Sequence, residues 1–273
     1  MKKKFAALVL ALALVLSLAA CGGESGSKTI KVGATPAPHA EILEVVKDIL
    51  AKDGYTLEIV EFDDYVNPNT SVEDGSLDAN YFQHITYMNG FNEERGTHLV
   101  SVAAIHYEPL GLYAGKCASL ADLPDGAKIA VPNDATNEAR ALLLLEQEGL
   151  IKMKDGAGIS ATKDDIAENP HGFEFYEVEA RLTPTVLRDV DVAVVNGNYA
   201  IDAGLKIADA LAVESAEGAA AEAYANVLTV KEGNENDEAV QALVKALQSD
   251  EVRTYMEETY AGAVVPLLSL IHI

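Results

Sequence analysis

The hydrophobic positions of this chain follow two periods in turn. Thr29-Ile30-Lys31-Val32-Gly33-Ala34 alternates polar and apolar, as a strand does. Pro36 and Pro38 then suit a helix start. From His39 to Lys52 the apolar residues Ile42, Val45, Val46, Ile49 and Leu50 fall on one helical face, and Gly54 stops the helix. Tyr55 to Phe62 alternates again, with Tyr55, Leu57 and Ile59 on one side. Strand, helix and strand within about 35 residues predict a parallel sheet.

The alternation continues. It predicts a short helix over Val72 to Leu77, a strand over Asp78 to Gln83 and a helix over Thr86 to Arg95. Leu99 to Tyr113 reads as a long extended stretch broken at Glu108-Pro109. Strands follow at Lys128 to Pro132, Phe173 to Val178, Val190 to Val195 and Tyr224 to Val230. A helix over Ala135 to Glu148 ends at Gly149, and helices over Glu238 to Leu247 and Val252 to Tyr260 close the chain. No convincing repeat relates the halves. The pattern suggests two α/β lobes, about 28–108 with 230–268, and about 109–229.

The first 21 residues change the picture of location. Lys2, Lys3 and Lys4 precede an apolar run, Phe5 to Leu16, shorter than the about 20 residues that a membrane span needs. Leu18-Ala19-Ala20-Cys21 follows. The combination resembles a bacterial lipoprotein signal, with 1–20 removed and Cys21 carrying lipid on its sulfur and its amine. Residues 21–27, rich in Gly and Ser, then form a flexible tether. The expected location is the extracytoplasmic face of the cell membrane.

The remaining residues suffice for one large domain or two smaller ones. Hydrophobic residues make up 49%, enough for a core. The net charge is −23, and removal of the signal, which holds three lysines and no acids, makes it −26. That argues against nucleic acid or anionic lipid surfaces as partners. An acylated Cys21 leaves Cys117 without an intrachain partner, so the fold stands on its core alone.

Ligands in open α/β sheets bind beyond the carboxyl ends of strands. Here those junctions are Thr35-Pro36, Asp63-Asp64-Tyr65, Phe82-Gln83-His84, Pro132-Asn133-Asp134 and Asn196-Gly197-Asn198. No nucleophile elbow, zinc-protease motif, phosphate loop or dinucleotide glycine pattern is present, and the six histidines show no metal-ligand spacing. Arg140 stands early in its helix, where a cation opposes the dipole, and has no acidic neighbour three or four positions away. It either grips a ligand carboxylate through its planar fork, or makes a tertiary ion pair, or lies on the surface. Tyr65, Tyr81, Phe82, His84 and Tyr87 either wall an apolar pocket or pack the core. Asn196, Asn198 and Asn226 either fix a ligand by amide hydrogen bonds or form turns.

Taken together, these segments resemble the methionine-binding lipoproteins that serve ABC importers. The matching stretches include Lys31 to Pro36 with Pro38 to Leu43, Phe62-Asp63-Asp64-Tyr65-Val66-Asn67-Pro68-Asn69 and Leu77 to His84. Others are Val131 to Arg140, Ala193 to Ala200 and Tyr224-Ala225-Asn226-Val227. The resemblance implies an α/β, two-lobed periplasmic-binding-protein fold of type II-like form, with two crossover strands. It implies a monomeric receptor, with no enzyme activity, cofactor or metal, that closes on L-methionine and hands it to a membrane permease. Arg140 then pairs with the ligand carboxylate and serves ligand rather than core. Asn137, Asn196 and Asn226 are polar cleft positions, and Tyr65, Phe82, His84 and Tyr87 surround the thioether.

Two departures from the family stand out. Ala180-Arg181-Leu182-Thr183-Pro184-Thr185 differs from the usual run there. Residues 268–273, Leu268-Ser269-Leu270-Ile271-His272-Ile273, resemble a translated sequencing adapter and read as a non-native tail. Rival readings are a receptor for another amino acid or a methionine-containing dipeptide, and a small dehydratase-like enzyme on the same fold. The enzyme would need Glu108 or His84 aimed at substrate. A surface antigen with a vestigial cleft is a third reading, against which Arg140 and the aromatic set argue.

Overall fold

The computed structural model of the protein describes residues 28–215 and 222–267. The signal, the tether, Cys21 and the tail at 268–273 lie outside the described residues. Among those described, no helix is long and apolar enough to cross a membrane.

Two mixed sheets carry the fold. The first contains β1 (Lys28–Ala34), β2 (Tyr55–Glu61), β3 (Ala79–His84) and β4 (Leu99–Tyr107). β1 pairs in parallel with both β2 and β3. Helix α1 (Glu41–Lys52) makes the first crossover, with Ile42, Leu43, Val46 and Leu50 buried. Leu43 is thus a centre of this face, while Val45 and Ile49 lie at its margin, partly buried. Each such side chain, removed from water, contributes about 1.5–3 kcal/mol.

The next helix differs from expectation. Instead of Val72 to Leu77 it spans α2 (Asn67–Glu73). The Asp64 carboxylate accepts the backbone N–H groups of Val66 at 2.7 Å and Asn67 at 2.8 Å, which starts the helix early. Pro68 tolerates the first turn because its missing N–H is not needed there. Helix α3 (Ile85–Arg95) ends on Gly96 in the left-handed conformation, φ 67°.

The break at Glu108-Pro109 is where the chain leaves the first sheet. β5 (Gly111–Ala114) begins the second, with β6 (Lys128–Pro132), β9 (Glu174–Val178), β10 (Val192–Val195) and β11 (Ala212–Val213), in the order β11-β5-β10-β6-β9. A small hairpin, β7 (Lys152–Met153) with β8 (Ile166–Glu168), was not legible in the sequence. Helix α4 (Ala135–Gln147) buries Leu142, Leu144 and Leu145 against the second sheet's core. Asn196-Gly197-Asn198 is more than a loop, because α5 (Gly197–Asp202) starts there.

The return crossing corrects the expected boundary at 229/230. β12 (Ala225–Lys231) lies wholly in the first sheet, antiparallel between β3 and β4. The chain therefore crosses back between Val213 and Ala225. α6 (Glu238–Leu247), α7 (Asp250–Tyr260) and the short β13 (Val265–Pro266) complete the first unit, in sheet order β13-β4-β12-β3-β1-β2.

Candidate functional site

The two crossings meet beside the ends of β3, β12 and α4, and a pocket lies there with about 310 Å³ of space, counting its opening to solvent. It is lined from the first sheet's side by Tyr65, Phe82, Gln83, His84, Tyr87 and Asn226. From the other side come Asn137, Arg140, Gly197 and Asn198, with Glu108 on the crossing itself. Every site residue expected from the sequence lines this cavity except Asn196, which stands behind Asn137 and donates from Nδ2 to its Oδ1 at 2.8 Å.

The aromatic wall follows from strand geometry. Phe82 and His84 are two apart on β3 and share a face. Tyr65 lies 5.7 Å from Phe82 and 5.5 Å from Tyr87 between ring centroids, and stacks on Tyr199 at 4.9 Å. Its hydroxyl donates to Asn198 Oδ1 at 2.6 Å, a bond between the two sides of the cavity. Tyr81, also in the aromatic group of the sequence, points away, and its hydroxyl meets His106 Nδ1 at 2.5 Å.

His84 is a neutral wall. Its Nδ1 accepts the N–H of Tyr87 at 3.0 Å, so Nε2 carries the proton and donates to Asn137 Oδ1 at 3.1 Å. Burial first, and the nearby Arg140 charge second, push its pKa down to about 3.

Arg140 is buried and has the tertiary partner that the local sequence did not reveal. Nε donates to Glu214 at 2.8 and 3.0 Å, and Nη2 donates to the same carboxylate at 2.5 Å. Nη2 also reaches the backbone oxygen of Glu108 at 2.7 Å. Burial opposes the guanidinium charge, but the Glu214 carboxylate outweighs it and raises the pKa further. The expectation that Arg140 serves only a ligand is therefore corrected: it also pairs with Glu214. The pair takes the Nε side of the fork, and Nη1 makes no hydrogen bond among the described residues. The ring of Tyr224 lies 4.3 Å from the guanidinium.

A second buried cluster backs the cavity. Glu108 Oε1 takes His106 Nε2–H at 2.7 Å and faces His39 Nε2 at 3.2 Å. His39 Nε2 also faces Asn226 Oδ1 at 3.2 Å, so it carries the proton, and Thr35 Oγ1 donates to Nδ1 at 2.7 Å. Burial pushes His39 down to about 4 and His106 to about 3, and raises Glu108. The carboxylate further accepts the backbone N–H of Asn198 at the start of α5. Gly197 fits there because a Cβ would come within 2.7 Å of Glu108 Oε2. His39, His106 and Glu108 are the described residues that offer a metal three ligands, within 4.8 Å of one another. Hydrogen bonds already use each of those ligand atoms. These bonds occupy Glu108, and those to Tyr87 and Asn137 occupy His84, so both candidates for a catalytic base are spent on protein partners.

Sequence reasoning misses Glu214, the partner of Arg140, and names Gln83 and Gly197 only within strand-end junctions and Glu108 only as a strand break and a catalytic candidate. Glu214 lies 74 residues from Arg140, and no local signal could have paired them. Asn198 is a polar residue in a strand-end junction, and that is the signal that points to it.

Two mixed α/β sheets, joined by two crossings and enclosing a cavity of aromatic and amide groups, define a substrate-binding protein. The chain belongs to the NlpA lipoprotein family, whose model matches residues 30–268. The methionine-binding lipoprotein MetQ of Bacillus subtilis (strain 168) is 40% identical over 277 residues, covering 98% of this chain and 99% of the relative. A crystal structure from Ruminococcus gnavus ATCC 29149 is 57% identical with a TM-score of 0.87, covering 88% of this chain and 100% of the other. A nutrient binding protein from Burkholderia cenocepacia, solved bound to methionine, is 44% identical with a TM-score of 0.83, covering 87% and 99%. Members of the family are substrate-binding receptors of ABC transporters and not enzymes.

Proposed function

We propose that this protein is an extracytoplasmic, lipid-anchored receptor that binds methionine between two lobes and delivers it to an ABC permease. The lobes are the two sheet units, and the cavity between them is the cleft. The observation that carries the reading is Arg140, which lines an aromatic cavity with Nη1 unspent after Glu214 has taken the other side of the fork. That nitrogen is the donor for the ligand carboxylate. Asn226 joins it: its Oδ1 faces the His39 N–H, which leaves Nδ2 as a second donor. Tyr65, Phe82 and Tyr87 offer ring edges to a thioether, at about 0.3–1.5 kcal/mol per contact. The relatives named for methionine support the same ligand.

Calorimetry on the purified protein is expected to show saturable binding of L-methionine, with a matching rise in melting temperature. No response to methionine beside a clear response to another amino acid would replace this ligand with that one.

The anchor is proposed at Cys21. Cys21→Ser is expected to move the protein from the membrane to the soluble fraction of cells. Retention of the variant on washed membranes would overturn the assignment. With its acidic surface the receptor is expected to act as a monomer that binds no nucleic acid.

A further inference from the structure

The strand that carries the aromatic wall breaks its own alternation. β3 and β12 pair antiparallel, with His84 opposite Asn226 and Gln83 opposite Val227, and then with Tyr81 opposite Leu228 and Asn80 opposite Thr229. Phe82 has no counterpart on β12, so it is the extra residue of a β-bulge. The consequence is a change of phase. Strict alternation from Asn80 would put Phe82 and His84 on the face of Asn80 and turn the Gln83 side chain the other way. With the bulge, Asn80 and Gln83 share one face with Val227 and Thr229, over the cluster that holds Val72 and Met88. Phe82 and His84 are released to the opposite face.

A closed set of amides holds that bulge. Asn69, on α2, donates from Nδ2 to Gln83 Oε1 at 2.8 Å. Its Oδ1 accepts from Gln83 Nε2 at 2.6 Å and from Asn80 Nδ2 at 2.9 Å. Gln83 Nε2 also reaches Asn80 Oδ1 at 3.0 Å and Thr229 Oγ1 at 3.3 Å. Asn80 Nδ2 donates to the backbone oxygen of Pro68 at 3.2 Å. That carbonyl only accepts, so it fixes the direction of the Asn80 amide, and through it those of Gln83 and Asn69. All four side chains are buried. On a regular strand, residues three apart point to opposite faces, and Asn80 and Gln83 could not both reach Asn69. The set therefore closes only while Phe82 is bulged. A slip back to regular pairing would strand buried amide groups without partners.

We propose that Asn69, which does not itself line the cavity, is a positioning residue: it pins Asn80 and Gln83 to one face and so aims Phe82 at the side chain of the ligand. The inference rests on the methionine reading of the cavity and adds what orients its aromatic wall.

The experiment compares L-methionine with L-2-aminobutanoate, which keeps the amine, the carboxylate and two side-chain carbons and lacks the thioether. The readout is the ratio of their dissociation constants in calorimetry on the full chain, with melting temperature measured beside it. The parent is expected to favour methionine by about 20- to 200-fold, the scale of two buried side-chain groups and one sulfur–ring contact. Phe82→Ala is expected to lower that ratio by about tenfold, and Asn69→Ala likewise. In the double variant the ratio should stay within about threefold of Phe82→Ala alone, because the ring through which Asn69 acts is already gone. Val72→Ala, also buried on α2, should lower the melting temperature and leave the ratio within about threefold of the parent's.

A merely structural role for Asn69 would give the pattern of Val72→Ala, a lower melting temperature at an unchanged ratio, and would overturn the pin. Effects that multiply in the double variant would overturn the route through Phe82. Should Asn69→Ala not fold, Asn69→Leu with Asn80→Leu, which replaces two amides by apolar groups of like shape, is judged by the same criterion. Phe82→Ala at the parental ratio would overturn the side-chain reading on which the pin rests. A parent that binds neither probe would remove the amino-acid reading itself.

Discussion

Arg140→Ala will weaken methionine binding by about two to three powers of ten or more and will also destabilise the ligand-free fold. The first effect follows from loss of the donor proposed for the ligand carboxylate. A buried charge-assisted pair broken from one side costs about 3–5 kcal/mol, and each 1.4 kcal/mol is about tenfold in affinity. The second effect follows from Glu214. Its carboxylate also accepts from the Tyr107 hydroxyl at 2.5 Å and from the N–H of Leu110 at 3.2 Å, so it is held in place, partly buried, without its cation. Unfolding in urea should show the ligand-free variant less stable by about 3–5 kcal/mol.

The double variant Arg140→Ala with Glu214→Ala separates these roles. It removes both charges and should recover much of the stability while binding stays lost. Arg140→Lys should recover only part of the affinity, since a point charge cannot serve Glu214 and a ligand with one planar fork. Tyr65→Ala should cost less than Arg140→Ala, because it removes apolar contact and strands no charge. Binding by Arg140→Ala within threefold of the parent would sink the carboxylate assignment. An undiminished stability would show that the Glu214 pair contributes nothing net.

Acidification from pH 7 to pH 5 will lower the stability of the fold through three buried histidines. His39 is held down to about 4, and His84 and His106 to about 3, all chiefly by burial. In the unfolded chain each titrates near its ordinary value of about 6.5. Below that value the unfolded state binds protons that the folded state refuses. The stability is therefore present above about pH 6.5 and is lost as pH falls toward the folded values. For each histidine the loss between pH 7 and 5 is about 2 kcal/mol. Glu108 works the other way, because its raised pKa favours the folded state as pH falls. Urea unfolding at the two pH values measures the sum. His84→Gln isolates one histidine from surface-charge effects: its stability should change with pH by about 2 kcal/mol less than the parent's. An equal pH dependence in parent and variant would show that His84 does not enter the native state neutral.

The alternation of strand and helix was legible because each element's own residues carry its period. Ile42, Val46 and Leu50 mark the inner face of α1, and the β-rich run ending at Pro132 marks β6. The Glu108-Pro109 break was legible too, although not as a change of sheet. Short elements were lost. β7, β11 and β13 have two residues each, too few to show a period, and α5 has six behind a Gly. The early start of α2 depended on the Asp64 side chain reaching forward to two backbone N–H groups, which composition alone does not reveal.

The class of architecture, the family and the residue types that gather at the strand ends can all be read along the chain. Local periodicity and ordered motifs are one-dimensional properties, so one dimension suffices to read them. What those residues do to one another depends on contacts between distant parts of the chain. Arg140 read as an unpaired cation because its partner, Glu214, arrives from beyond the second sheet. Asn137, Asn196 and Asn226 read alike as amides, yet each is turned by a different neighbour: Asp134 with His84, then Asn137, then His39. Donor and acceptor ends of an amide are chosen by contacts distant in sequence, and in a buried cavity that choice sets which end of a ligand each one can meet.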